Sequence, residues 1–321
     1  MKEYTYDFSI IVPVHNNEDT IVNCVNSLLK QDCSLQVILV ENNSNDDSLM
    51  LCQELSSNYS NIDLIISKDI GVSSARNHGI KRALGRYIGF CDADDYYLQN
   101  SLEFVLSKFN QSDYDMIVTG FEQINNGNVE ERVLKKEKVV SSTALIEYIS
   151  CYPLIMGSVW NKFYKKSIIC NMHFNTDLTH LEDSFFNYEL LVSNRTIKCL
   201  ITNRMTYAYV KNDNSVTCDY TRKYNKNNEL VNIQSLEYAL SQLSFDAKEV
   251  TYIKDQEFRI AVINLWNGTF PNETAKVKLL QTAKKYYKFF VKHKFINDAS
   301  NRKRILVKYL LLRMKYGIAT S

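Results

Sequence analysis

The 321-residue chain sets 38 Lys+Arg against 36 Asp+Glu, a formal charge of +2, and 45% of its residues are hydrophobic. A sizeable core is therefore available, which excludes a disordered acidic chain, and the balance excludes a strongly basic nucleic-acid protein. The length suits one large α/β domain with an appendage. The near-neutral total hides an asymmetry. Residues 276–316 hold thirteen Lys and Arg against one acid, Asp298, a net +12 that leaves the rest of the chain at −10. The cysteines are scattered and form no CxxC, which reads as isolated thiols in a reducing cytosol. The first seven residues carry Lys2, Glu3 and Asp7, so no signal peptide is expected, and no run of 18 apolar residues is there to span a membrane.

In chain order, Phe8–Val14 (FSIIVPV) is an unbroken apolar, β-branched run and predicts a buried parallel strand. Thr20–Lys30 places Ile21, Cys24, Val25, Leu28 and Leu29 on one helical face. Leu35–Val40 predicts a second strand, Leu49–Leu55 a helix and Ile62–Ile66 a third strand. Gly71–Leu84 reads as a helix that Gly85 stops, and Tyr87–Cys91 as a fourth strand. Tyr96–Phe109 reads as a helix and Asp115–Thr119 as a strand. This alternation predicts an α/β fold, a mostly parallel sheet flanked by helices. Past Thr221 the character changes, and Asn225–Leu243 and Glu249–Leu265 predict a C-terminal helical extension.

Ligands of such sheets bind beyond the carboxyl ends of the strands. The loops there are Pro13–Asn17, Glu41–Asp46, Lys68–Ser73 and Asp92–Asp95. None carries GxGxxG or GxxxxGK[ST], so dinucleotide and P-loop folds are poorly supported. In Asp92-Ala93-Asp94-Asp95 the carboxylates of residues 92 and 94 point the same way if strand geometry persists. Paired hard oxygens suit Mg²⁺ or Mn²⁺, which keep waters and bind phosphates. The plainer alternative is a strand-to-helix turn in which Asp94 or Asp95 caps the next helix.

Three blocks, SIIVPVHNNEDTIVNCVNSLLKQ, VILVENNSNDDS and KDIGVSSARNHGIKRALGRYIGFCDADD, together resemble in order and spacing the family 2 glycosyltransferases of the GT-A fold, a Rossmann-like architecture. Two more, VWNKFYKKSII and HLEDSFFNYELL, are similar to the acceptor half of bacterial polysaccharide and capsule-building members. The resemblance implies a nucleotide-sugar-binding half at 1–110, an acceptor-binding half at 111–220 and a helical region at 221–321 with a basic amphipathic tail. It implies inverting, metal-dependent transfer of a hexose or N-acetylhexosamine from a UDP-sugar to a cell-surface polysaccharide or lipid-linked oligosaccharide. Pro13, Val14 and His15 match the strand end that lines the base, with His15 where an aromatic commonly stacks. Glu41 and Asn42 stand where the family usually has two aspartates. Arg76 matches an arginine that reaches the nucleotide, and Asp92, Ala93 and Asp94 match the DxD signature, with Asp94 and Asp92 toward Mn²⁺ or Mg²⁺. Asp183 matches the general base, and Trp160, Lys162 and Glu182 fall in the acceptor elements. A helix cap is the structural alternative for Asp183, and a core position for Trp160. Two rival classes stay open: a non-catalytic nucleotide-sugar-binding module, and a metal-dependent nucleotidyl- or phosphotransferase.

In the tail, Ile305, Leu306, Tyr309, Leu310 and Leu312 are expected to share most of one helical face, ringed by Arg302, Lys303, Arg304, Lys308, Arg313 and Lys315. Such a helix suits an anionic membrane surface or a packed helix with a solvated basic face. No nucleic-acid recognition module is present, so nucleic acid is not an expected partner. The expected location is the cytoplasm, with a peripheral position at the inner face of the cell membrane as the alternative.

Overall fold

The computed structural model describes residues 4–151, 157–211, 224–227, 229–292 and 299–316. They form two compact units, one from the described residues of 1–145 with 157–211, the other from those of 146–156 with 212–321.

The first unit is built on a ten-stranded sheet. Four strands, β1 (Tyr6–Val14), β2 (Leu35–Glu41), β3 (Ile62–Ile66) and β4 (Gly85–Phe90), pair in parallel in the order β3-β2-β1-β4. Helices α1 (Ile21–Leu29), α2 (Ser48–Asn58) and α3 (Val72–Arg82) are the crossovers. Strand β2 is buried along its whole length, as its LQVILVE sequence requires of a strand covered on both faces. The register sets Val14 opposite Glu41 and Ile11 opposite Phe90, so the loops leaving β1, β2 and β4 emerge along one edge. Helix α3 lies close against β1: a Cβ on Gly79 would stand 2.3 Å from Ile11 Cγ2, so only glycine admits this approach.

The second half of the sheet is mixed. β5 (Tyr96–Tyr97), α4 (Ser101–Gln111), β6 (Met116–Asn125), β7 (Asn128–Arg132), β8 (Lys138–Val140) and α5 (Ser142–Cys151) follow in order. Next come β9 (Lys162–Lys165), α6 (Lys166–Ile169), α7 (Glu182–Ser193) and β10 (Cys199–Val210). β9 sits antiparallel between β4 and β6, β10 runs parallel to β6, and β5 and β8 pair antiparallel with β10.

Three local expectations change. Gly85 does not stop a helix; α3 ends at Arg82, Ala83 turns extended, and Gly85 opens β4 opposite Tyr6, where a Cβ would strike the Ser9 backbone nitrogen at 2.4 Å. Tyr96 does not begin a helix, because pairing with Ala208 and Tyr207 draws Tyr96 and Tyr97 into the sheet edge. The helix starts at Ser101, so neither Asp94 nor Asp95 caps it. The described cysteines are free thiols, as expected, and Cys24 and Cys91 bring their sulfurs to 3.5 Å.

The second unit contains α8 (Val231–Gln242), α9 (Ala247–Asn267), α10 (Glu273–Lys292) and α11 (Ala299–Tyr316). Helix α9 opens with a capping box: Asp246 accepts from the Glu249 N–H while the Glu249 side chain accepts from the Asp246 N–H. Its core joins Phe258, Val262 and Leu265 of α9 to Leu279, Tyr286 and Phe290 of α10 and to Ile305, Tyr309 and Leu312 of α11. Leu310, expected to share a face with Ile305, Tyr309 and Leu312, is exposed while those three are buried. Among the described residues, no helix is long and apolar enough to cross a membrane.

Candidate active site

The loops after β1, β2, β4 and the start of α7 bear the expected residues. After β1, Pro13 is half-buried, Val14 is buried, and His15 is exposed with Nδ1 2.7 Å from the Asn42 carbonyl oxygen. After β2, the Glu41 carboxylate is buried and accepts from the Ser44 N–H at 2.6 Å. The Asn42 side chain is committed to the next loop: its amide N–H donates to the Asp69 carbonyl, and its Oδ1 accepts from the Gly71 N–H at 2.8 Å. His15 and Asn42 thus tie three post-strand loops together by hydrogen bonds, and Asn42 has one amide lone pair left for a ligand.

After β4, Asp92 is partly exposed, Ala93 is buried and Asp94 is half-buried. Burial and the neighbouring Asp92 charge push the Asp94 carboxyl up to about 6. Asp95 turns inward and is locked by β10: its Oδ2 accepts from the Tyr207 hydroxyl at 2.8 Å and its Oδ1 from the Val210 N–H at 2.7 Å. The same Tyr207 hydroxyl accepts from the Asp92 N–H at 3.0 Å. Burial, with the charges of Asp92 and Asp94, raises the Asp95 carboxyl well above the usual range. Tyr207 is held in turn by Trp160, stacked at 4.6 Å, and Trp160 also stacks on Tyr209 at 5.6 Å. Trp160 is therefore a core residue that supports the acidic loop from behind.

Arg76 joins this loop to α7. It is buried, its Nη2 donates to Asp92 Oδ1 at 3.2 Å and its Nη1 to Glu182 Oε1 at 2.8 Å. Its guanidinium lies 5.3 Å from the Phe174 ring centroid. Burial works against the charge, but Asp92, Glu182 and Asp183 outweigh it and hold the guanidinium above its ordinary range.

Glu182 and Asp183 are the first two residues of α7, not its cap; the residue before them, Leu181, has φ 57° and caps with no side-chain bond. A left-handed leucine is strained by about 1–3 kcal/mol, and such strain concentrates at functional sites. Asp183 Oδ1 accepts from the Ser184 N–H at 2.8 Å. Burial and the adjacent Glu182 charge push its carboxyl up to about 7, against the opposing pull of Arg76 and Lys162. Lys162 is wholly buried; Nζ donates to the Ser158 carbonyl at 2.6 Å and to Asn161 Oδ1 at 2.9 Å. Burial brings its ammonium down to about 7, while Asp183 pulls the other way. The first turn of α7 packs on Gly157, where a Cβ would meet Ser184 Oγ at 1.8 Å, and Asn187 donates to the Gly157 carbonyl at 2.7 Å.

Asp92, Arg76, Glu182 and Asp183 thus form one connected charged network. Among the described residues, no three His, Cys, Asp or Glu side chains converge as a full metal-ligand set. Asp92 and Asp94 supply two hard-oxygen groups and leave other positions to phosphate and water, which fits Mg²⁺ or Mn²⁺. The repulsion that raises Asp94 is one a cation would relieve. The Asp95–Tyr207 lock, the Phe174 contact and Lys162's influence on Asp183 have no sequence signal, because the partners lie far apart in the chain.

The sequence model described as Glycosyl transferase family 2 matches residues 9–177, more than half of the chain. The chain is 31% identical to the uncharacterized glycosyltransferase EpsJ of Bacillus subtilis over 65% of its own length and 62% of that protein. It is 30% identical to the minor teichoic acid biosynthesis protein GgaB of Bacillus subtilis over 70% of its own length and 25% of that protein. The chain thus spans less than two thirds of either relative. The crystal structure of S. aureus TarS 1–349 in complex with UDP superimposes with a TM-score of 0.64 at 18% identity, covering 96% of this chain and 87% of that one. That likeness shows the fold, a GT-A sheet flanked by helices and followed by C-terminal helices.

Proposed function

Because the chain belongs to glycosyl transferase family 2, we propose that it transfers a hexose or N-acetylhexosamine from a UDP-sugar, with inversion, to a saccharide acceptor held on a carrier lipid or cell-surface polymer. The observation that carries this reading is the network joining Asp92 of the acidic loop, through Arg76, to Glu182 beside Asp183. Pro13, Val14, His15, Glu41 and Asn42 line the base, the last three on loops already tied together. The UDP in the similar structure and the teichoic acid role in the relative's name support the donor and acceptor classes.

Asp94 and Asp92 would hold Mn²⁺ or Mg²⁺, which supplies charge neutralisation for the departing diphosphate. Asp183 takes the proton of the acceptor hydroxyl. A carboxyl held near 7 matches the pH of the task far better than an ordinary aspartate, since a base works best when its affinity for the proton is close to ambient pH. Arg76 holds Asp92 and Glu182 at fixed spacing and opposes protonation of Asp183. Glu182 borders the acceptor. Trp160 and Lys162, both buried, shape the acceptor half from behind rather than touch the sugar. The half up to residue 110 serves the donor and residues 111–220 the acceptor.

The test is to follow UDP release from UDP-sugars with Mn²⁺, with and without saccharide acceptors, in wild type and Asp183→Asn. Slow UDP release without acceptor, lost transfer in Asp183→Asn and retained UDP affinity are expected. Full transfer by Asp183→Asn removes the base assignment. Donor binding with no turnover in any condition makes the chain a binding module, and release of pyrophosphate makes it a nucleotidyltransferase.

A further inference from the structure

Helix α11 has two apolar faces, and among the described residues one is buried and the other exposed. Ile305, Tyr309 and Leu312 are buried in the core of the second unit, where Tyr309 meets Phe258 edge-on at 5.2 Å. Val307, Leu310, Leu311 and Met314 recur at the i, i+3, i+4, i+7 spacing of a single helical face, and they are 53%, 41%, 45% and 82% exposed. Trp266 of α9, 43% exposed, stands beside them and shares a shallow hollow with Leu311, Leu312 and Lys315.

A cationic rim surrounds this patch. Lys303, Arg304 and Lys315 are exposed, and Lys308 lies with Nζ 5.3 Å from the centre of the Trp266 ring. The wider segment 276–316 carries +12. An apolar stripe, an indole at its margin and a basic rim are the features of a surface that seats at the boundary between headgroups and acyl chains. A second copy of the chain would bring the same +12 against this face and be repelled.

We propose that the exposed face of α11, with Trp266, docks on a bilayer carrying anionic lipids. The apolar side chains enter the interface while Lys303, Arg304, Lys308 and Lys315 meet the lipid phosphates. The helix lies in the surface plane, since its other face belongs to the protein core. The value of such docking rests on the membrane-held acceptor proposed above; the binding itself does not.

Full-length protein is tested by flotation with vesicles of phosphatidylcholine alone and of phosphatidylcholine with phosphatidylglycerol. Wild type is expected to float with the anionic vesicles at least about tenfold better than with the neutral ones, and added salt weakens this. Leu311→Glu/Met314→Glu, at exposed positions that leave the buried stripe intact, is expected to lose the binding. Lys303→Glu/Arg304→Glu is expected to lose its preference for the anionic vesicles. Trp266 fluorescence is expected to be quenched by lipids spin-labelled near the headgroup, with Trp266→Phe as the control that assigns the signal. Unchanged flotation of Leu311→Glu/Met314→Glu, no flotation of wild type, or no Trp266 quenching overturns the proposal. Concentration-dependent self-association that the same double variant abolishes, without lipid binding, transfers the face to a second copy. UDP release in solution by the double variant should match wild type, so failure of docking and failure of the glycosyl-transfer reading are told apart.

Discussion

Two substitutions around Asp183 should move its titration in opposite directions. Arg76 pulls the Asp183 proton off and Glu182 holds it on. An opposite charge at contact range shifts a carboxyl by about 1–3 units, each unit being worth about 1.4 kcal/mol. Arg76 is nearly unexposed, so little of this is screened. In wild type the acid limb of kcat/KM for transfer should have its midpoint at about 7. Arg76→Gln should raise that midpoint by about 1–2 units, which lowers the rate at pH 7 by roughly 5- to 50-fold and restores much of it at pH 9. Glu182→Gln should lower the midpoint by about one unit and flatten the profile between pH 6 and 8. The assay is UDP release with acceptor from pH 5 to 9, with thermal unfolding of each variant as a control for folding. Midpoints that move the same way in both variants, or in neither, would refute the assignment of the acid limb to Asp183.

Asp94→Asn should abolish the stabilisation of the UDP complex by Mn²⁺ in thermal shift without lowering metal-free stability at neutral pH. Tyr207→Phe removes the hydroxyl that serves Asp95 and the Asp92 N–H. Buried Asp95 loses one partner, at about 1–3 kcal/mol, and the part-buried Asp92 N–H loses another, at less, so chemical unfolding should show a loss of about 1–4 kcal/mol with weaker metal response; a loss below about 0.5 kcal/mol contradicts the lock. Folded Asp183 keeps its proton up to about 7, against 3.8 for a free side chain, so the ligand-free protein loses stability as pH rises through that interval. Asp183→Asn should therefore unfold at a higher temperature than wild type at pH 8, and by a smaller margin at pH 5, where only part of that stability has been lost. Lys162→Met should raise the acid midpoint of transfer, because a charge that opposes Asp183 protonation is lost; an unchanged midpoint separates a packing role from an electrostatic one.

The alternation of apolar runs and polar loops in the first ninety residues determined the parallel half of the sheet and the edge on which the loops emerge, because buried parallel strands demand continuous β-branched sequence. The acidic residues at 92–95 and 182–183 were also legible, since carboxylates at element ends are visible in a string of letters. Their roles in the framework were not. Asp95 looked like a helix cap until β10 claimed Tyr96 and Tyr97 as a sheet edge and gave Asp95 a tyrosine 112 residues away. Arg76 matches an arginine that reaches the nucleotide, but only the approach of α7 shows that it is also the counter-charge for two acids, Asp92 and Glu182. Tail periodicity could not tell which apolar residues of α11 pack and which stay bare, because that depends on the direction from which α9 and α10 arrive. Sequence determined what is local: strand character, loop chemistry and net charge. Tertiary structure decided what is pairwise, the burial and neighbours that shift a carboxyl to about 7, since desolvation and Coulomb interaction act across space rather than along the chain.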